Sequence, residues 1–341
     1  MDGVMGVTLH TGDLSFDEIT RFAQESEELG YHGFWLTEEN GKEAFALLAL
    51  LARDTSRINL GTGIVNFYSR SPMTLAMGAR TIWDLCGGRF SLGLGTGGVG
   101  FMTQGHGVKI ERPVARARET AEIIKGFLSE RRFSYEGEWF NVQRFHLREG
   151  PLETRPPMYL AALGPQMVKT AARHFDGFIM NWPTPEALEE YRATVKREAE
   201  AAGRDPSEVK ILSLLQTVAD PDNPASVDAM RRGLAFYCAS EHYLHIADIT
   251  GLGADARKVK EVWETGDYRA AAAQVSDEMV AAFSLWGTPE HCTAELQRLL
   301  DADIYPIIYP VPRGDHMVED HFATIRLVAE YAKGLTTTTA V

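Results

Sequence analysis

The sequence predicts an α/β fold, a (β/α)8 TIM barrel with insertions after strands 4 and 7. Three observations predict it. Eight short apolar runs alternate with helical patterns along 341 residues, and such alternation favours a parallel sheet. Runs such as IYPIIYPV and VKILSLLQTV are apolar almost throughout, as strands covered on both faces must be. Eight strands allow the sheet to close, and a closed barrel commonly uses about 250 residues or more as one domain.

Residues 4–9 read as the first strand. Residues 15–29 read as a helix, with Ser15 as N-cap, Glu18 three residues on, and Gly30 as the stop. The second strand covers 34–36, and a Leu- and Ala-rich helix covers 43–53. The third strand, 58–65, holds Gly61 and Gly63. The helix at 72–85 opens on Pro72 and closes on Gly87-Gly88. The fourth strand is 90–95. A Gly-rich loop then leads to a helix over 114–128 and a hairpin over 133–141, turning at Glu136-Gly137. Strand 157–161, helix 166–174, strand 177–180, helix 185–202 and strand 209–218 follow. Residues 225–283 read as mostly helical, without a strand. Helix 289–300, strand 304–309 and helix 317–333 close the series.

Residues 1–335 therefore read as a single barrel domain. Its insertions fall at about 96–156 (loop, helix, hairpin) and 219–288 (helical), and 336–341 reads as a flexible tail. Both insertions sit at the mouth of the barrel, where βα loops build active sites.

Composition narrows the function. The chain is 45% apolar and 24% charged, which is ordinary for a globular protein. A net charge of −13 disfavours nucleic acid and anionic membranes as partners. It leaves room for an anionic cofactor held by local amides. No run of about 18 apolar residues and no signal peptide is visible, so a cytoplasmic location is expected. Cys86, Cys238 and Cys292 are odd in number and lack C-x-x-C spacing, and read as buried, reduced thiols. His242 and His245 beside Glu241, and His316 and His321 beside Glu319 and Asp320, read as helix-face or capping residues, and no metal is predicted. No G-x-S-x-G is present, so a hydrolase nucleophile is unsupported.

Catalytic groups in a barrel come from the strand ends and the loops after them. Those positions hold His10; Glu38, Glu39 and Asn40; Asn66 and Tyr68; Gly95 to Gly98; Leu163 to Gln166; Asn181 and Trp182; Gln216; and Tyr309 with Arg313. Gly93-Leu-Gly-Thr-Gly-Gly98 matches G-x-G-x-x-G but leads into loop at 99–105, not into a helix as a dinucleotide fingerprint should. Gly95 and Gly97 read instead as backbone stripped of side chains so that a flat ring can approach. At Ala162-Leu163-Gly164-Pro165 a strand ends, Gly164 turns and Pro165 opens a helix. That is a phosphate-binding helix start or a plain strand–turn–helix joint.

Several segments, in this order and spacing, resemble the luciferase-like monooxygenase superfamily. They are Gly61-Thr-Gly-Ile-Val65 with Tyr68-Ser-Arg-Ser-Pro72 and Gly88-Arg-Phe-Ser-Leu-Gly-Leu-Gly95; Tyr135-Glu-Gly-Glu-Trp-Phe140; and Pro157 to Met167 with Asp176-Gly-Phe-Ile-Met-Asn181. The Ala-Ala-Leu-Gly-Pro form is similar to the branch that uses the deazaflavin coenzyme F420, including methylenetetrahydromethanopterin reductases. The resemblance implies a ring across the third and fourth strands, with Gly63, Ile64, Asn66, Gly95, Gly97 and Asn181 around it. It implies phosphate near Ala162, Leu163, Gly164 and Pro165, a cis peptide at Gly63–Ile64, and a homodimer. Glu38-Glu39 stands where many members carry Asp-His, and Gly98 stands where the branch's sugar-phosphate dehydrogenases carry Glu.

The activity this implies is hydride transfer between F420 and a small organic substrate. His10 and Glu38 are the acid–base candidates, with Glu39 and Trp182 against the substrate. Glu38 also reads as a helix-capping carboxylate, and His10 as a strand-end core histidine. An FMN-dependent monooxygenase of the same fold is the alternative, and a non-catalytic flavin- or deazaflavin-binding protein is a second.

Overall fold

Apolar strands pair edge to edge until the sheet closes on itself in the computed structural model, which describes residues 5–12, 14–314 and 316–335. Val4 of the expected first strand and the tail at 336–341 lie outside these residues. The strands and helices run β1 (Gly6–Leu9), α1 (Phe16–Glu28), β2 (Gly33–Thr37), α2 (Ala44–Asp54), β3 (Asn59–Asn66), α3 (Pro72–Leu85) and β4 (Phe90–Gly95). After β4 come α4 (Pro113–Ser129) and a hairpin of β5 (Phe133–Glu136) and β6 (Asn141–Phe145). The barrel resumes with β7 (Met158–Ala161), α5 (Pro165–His174), β8 (Gly177–Asn181), α6 (Pro185–Ala201) and β9 (Lys210–Thr217). Five helices follow: α7 (Pro224–Cys238), α8 (Glu241–Ile249), α9 (Gly253–Glu264), α10 (Tyr268–Ala273) and α11 (Asp277–Phe283). The chain closes with α12 (Pro289–Asp301), β10 (Ile304–Pro310) and α13 (Met317–Tyr331).

The barrel order is β1-β10-β9-β8-β7-β4-β3-β2, with every pair parallel. It is the predicted (β/α)8 barrel, and the long excursions leave it after the fourth and seventh barrel strands. Local chemistry starts the helices. Ser15 and Glu18 form a reciprocal capping box on α1. Proline sits in the first turn of α3, α5, α6 and α12, where a missing N–H costs no helical bond.

Two cores result. The larger lies between the barrel and its helices. The smaller fills the barrel itself, from Trp35, Tyr159, Ile179, Leu212, Tyr305 and Ile307, with Ile64 and Leu214 against it. Fully burying an aliphatic side chain such as Leu212 stabilises the fold by about 1.5–3 kcal/mol. Gly61 makes room for the Trp35 ring: a Cβ there would come within 2.4 Å of Cε3. Side chains alternate along a strand. The next inward positions toward the C-terminal ends are therefore Thr37, Ala161, Asn181, Gln216 and Tyr309, which form the floor of the mouth.

Three local expectations are corrected. The hairpin turns over 137–140 rather than at Glu136-Gly137, because the fully buried Glu119 carboxylate gathers three turn amides, those of Glu138 (2.8 Å), Trp139 (3.0 Å) and Phe140 (3.1 Å). Residues 99–105, expected as loop, include a π-helical turn at Phe101–Gly105, with Met102 buried under it. The Gly63–Ile64 peptide, expected cis, is trans, since no described peptide bond is cis. β3 bulges there nonetheless. Its register against β4 shifts between Gly61 and Val65, and the Thr62 hydroxyl donates to Gly93 O and accepts from Gly93 N, both at 2.7 Å. The side chain thus replaces ladder bonds that the bulge removes.

One acid-sensitive staple precedes β3. Partial burial pushes the Glu27 carboxyl up. The amides of Ile58, Arg57 and Ser56 and the Ser56 hydroxyl more than offset this and bring it down from 4.5 to about 2. A carboxyl lowered on folding stabilises above its unfolded value, and that stability is lost as pH falls through the folded value. Glu27→Gln is expected to lower Tm at neutral pH and to flatten its fall between about pH 4.5 and 2. Identical acid limbs for both proteins in a Tm-against-pH series would show that the carboxylate contributes nothing.

Candidate functional site at the barrel mouth

The mouth divides into a bare arc and a polar arc. The bare arc spans β3, β4 and β7. Ile64, half-buried on the bulge, leans on Gly95, where a Cβ would lie 3.0 Å from Ile64 Cδ1 and 3.2 Å from Ala161 Cβ. Gly97 has φ +75°, a left-handed conformation that favours glycine. Past β7, Gly164 is the N-cap of α5 without a side-chain cap, and a Cβ there would meet nothing within 4 Å. The Tyr191 hydroxyl donates to Leu163 O and fixes this turn. Ala162 is buried, Leu163 half-buried and Pro165 exposed. Gly95 is buried against Ile64 and Ala161, Gly97 packs on Met102, where a Cβ would lie 3.0 Å from Sδ, and the arc ends at the open helix start of Gly164.

Asn66 closes the arc from below. Its side-chain oxygen accepts from the amides of Ser69 (2.8 Å) and Tyr68 (3.2 Å), so it shapes the turn after β3. Tyr68 donates to Glu111 O at 2.8 Å, and the Arg116 guanidinium lies between the Tyr68 and Trp139 rings. The hairpin is thereby tied to the end of β3.

At the ends of β1 and β2, His10 Nε2 lies 2.8 Å from Glu39 Oε2, with side chains 39% and 49% exposed. The two residues line a narrow cleft with Thr11, Gly12, Thr37, Asn40 and Gly41. The Gly12 amide donates to His10 Nδ1 at 3.4 Å, which places the neutral ring's proton on Nε2. Glu38 is placed differently. Arg70 grips it with two bonds of 2.7 Å, its Oε2 accepts the Ala44 amide at 3.1 Å, and only 8% of the side chain is exposed. Its oxygens are committed to a buried ion pair and to the start of α2. Arg70 also reaches Glu43 at 2.6 Å.

The polar arc spans β8, β9 and β10, and the helical insertion covers it. Asn181 donates to the Tyr243 hydroxyl at 2.7 Å. Trp182, at φ +57° and 1% exposed, stacks on Phe283 with centroids 4.1 Å apart and meets Tyr243 edge-on. The indole is thus packed into the insertion and does not line open space. Burial raises the hydroxyls of Tyr237, Tyr243 and Tyr309, and the Glu39 carboxylate adds to this for Tyr237 and Tyr309. All three hydroxyls stay protonated, neutral donors. Tyr237 and Tyr243 escaped the sequence reading, since nothing local marks two tyrosines of a helical insertion as mouth residues.

A broader apolar groove lies elsewhere, between the start of α3, α4 and the hairpin, and includes Met73, Ile123, Phe127, Phe140 and Val142. No titratable residue lines it. Among the described residues no group of three His, Cys, Asp or Glu side chains could hold a metal ion, and no helix is long and apolar enough to cross a membrane. The three cysteines are free and buried.

Comparison with known proteins agrees with the barrel fold. The chain is 29% identical over 302 residues to 5,10-methylenetetrahydromethanopterin reductase of Methanolobus tindarius, covering 87% of this chain and 91% of that one. It is 25% identical over 323 residues to F420-dependent glucose-6-phosphate dehydrogenase of Kineococcus radiotolerans, covering 86% and 93%. The solved structure of coenzyme F420-dependent tetrahydromethanopterin reductase from Methanopyrus kandleri has the same fold, with TM-score 0.80, 23% identity, and coverage of 98% and 100%. Residues 3–303 match the luciferase-like monooxygenase family profile, and the chain belongs to that family.

Proposed function

We propose that the chain is an oxidoreductase that binds coenzyme F420 at the barrel mouth and transfers a hydride between it and a small organic substrate. The observation that carries this reading is the bare arc of Ile64, Gly95 and Gly97 beside the His10–Glu39 pair. It suits a flat ring on one side and proton handling on the other. The F420-dependent relatives support the choice of coenzyme. When bound, the deazaflavin supplies a ring carbon that accepts or gives a hydride.

The protein's own residues do the rest. Gly63 and Ile64, on the bulge, support the ring, and Gly95 and Gly97 let it approach the backbone. Gly63 lies against Leu36 and Thr37, where a Cβ would come within 3.0 Å of Thr37 Cγ2. Ala162, Leu163, Gly164 and Pro165 present the N-terminus of α5 to phosphate, where the helix dipole and free amides favour negative charge. Asn66 and Asn181 hold the rim in shape. His10 takes or gives a proton at Nε2, and Glu39, 2.8 Å away, orients the ring. Glu38, locked to Arg70, positions the β2 loop that carries Glu39. Trp182 anchors the insertion over the substrate side.

Titration of the purified protein with coenzyme F420 and, separately, with FMN, followed by fluorescence, tests the reading. Micromolar or tighter deazaflavin binding with FMN ignored is expected. A preference for FMN overturns it in favour of a flavin-dependent monooxygenase.

A further inference from the structure

Gln216 lies at the centre of the polar arc, on β9 between β8 and β10. Leu212 and Leu214 belong to the barrel's interior core, so the alternation of β9 turns Gln216 inward at the level of the mouth. The residue is only 7% exposed. Its amide nitrogen packs on α7 of the insertion, where a Cβ on Gly233 would come within 2.7 Å. Its side-chain oxygen is buried and has no donor among the described residues. A buried acceptor without a protein donor is completed in folded proteins by water or by a ligand.

The immediate neighbours of Gln216 in the barrel are uncharged. Tyr309 is the register partner of Gln216 on β10. Asn181, on the neighbouring β8, is held by Tyr243. Arg231, on α7, pairs with Asp277 at 2.6 Å while its Nε is buried without a partner, and Arg313, after β10, pairs with Asp320. The charge that reaches the arc is the carboxylate of Glu39, which acts on Tyr237 and Tyr309. A phosphorylated or carboxylated substrate would find no matching cation here.

We infer that Gln216 is the residue that reads the substrate: its side-chain oxygen accepts a hydrogen bond from a hydroxyl or N–H of an uncharged molecule held under the insertion. This rests on the reading of the mouth as the active site. It assigns a substrate class, neutral and donor-bearing, that the coenzyme site does not specify.

Two measurements test it. In the unliganded protein, Gln216→Met keeps the volume and removes the unpaired acceptor, so Tm is expected to rise by roughly 1–3 °C. A fall in Tm means that the carboxamide is bonded within the fold, and overturns the assignment. In the second, cyclohexanol and cyclohexanone serve as probes of one shape, with and without a donor. The wild-type protein, with and without coenzyme F420, is expected to show a larger thermal shift with the alcohol, and Gln216→Met is expected to erase the difference. Equal shifts in the wild type, including no shift with either probe, overturn the assignment, as does a difference that survives in Gln216→Met. If coenzyme F420 fails to bind at all, the function proposed above fails, while the donor discrimination remains readable in the unliganded protein.

Discussion

His10→Ala is expected to lower kcat by about 10²–10⁴-fold while leaving the dissociation constant for coenzyme F420 unchanged, which is the range for a positioned general acid or base. The expectation rests on geometry. His10 follows β1 at the mouth, its Nδ1 accepts the Gly12 amide, and its Nε2 faces Glu39 Oε2 at 2.8 Å. A proton on Nε2 is therefore held in the cleft, where a substrate group can exchange it. Glu39→Gln keeps the hydrogen bond that orients the ring, so it is expected to cost less than His10→Ala. A wild-type Tm and an unchanged coenzyme dissociation constant in His10→Ala separate catalysis from packing. If His10→Ala keeps wild-type kcat at every pH, the proton passes through another group.

Gly95→Val is expected to weaken coenzyme binding by about 100-fold or more, since each tenfold is 1.4 kcal/mol and a blocked ring loses most of its contact. Even the first carbon of a side chain at position 95 would sit 3.0 Å from Ile64 Cδ1, 3.1 Å from Ile64 Cγ1 and 3.2 Å from Ala161 Cβ. Valine adds two methyl groups to that crowded point and displaces Ile64, the residue proposed to support the ring. Fluorescence titration measures the loss, and a Tm within a few degrees of the wild type confirms that the barrel survives. Unchanged affinity in a folded Gly95→Val protein would move the ring off the β3–β4 arc.

Much of the fold was legible because it is local. The capping box of Ser15 and Glu18, Pro72 at the start of α3 and the apolar run of β10 each declare an element within a few residues. The strand ends then follow by counting, and with them His10, Gly95, Gly164 and Asn181. The sequence determined by itself which positions reach the mouth, because the pleat and the order of βα units fix that. What fills or frees those positions was decided by tertiary structure. Glu38 looked like a mouth carboxylate, yet Arg70, 32 residues away, closes on it once β2 and β3 pair. The β3 bulge was not legible, because it shows only in the pairing with β4, where the Thr62 hydroxyl reaches Gly93 across the ladder. The hairpin turn moved because Glu119, on another element, supplies acceptors that the turn sequence does not reveal. Tyr237 and Tyr243 reach the mouth only because the insertion folds back over β8 and β9. Hydrogen bonds and ion pairs between residues distant in sequence have no periodic signature. They exist only when the closed barrel brings their partners within reach.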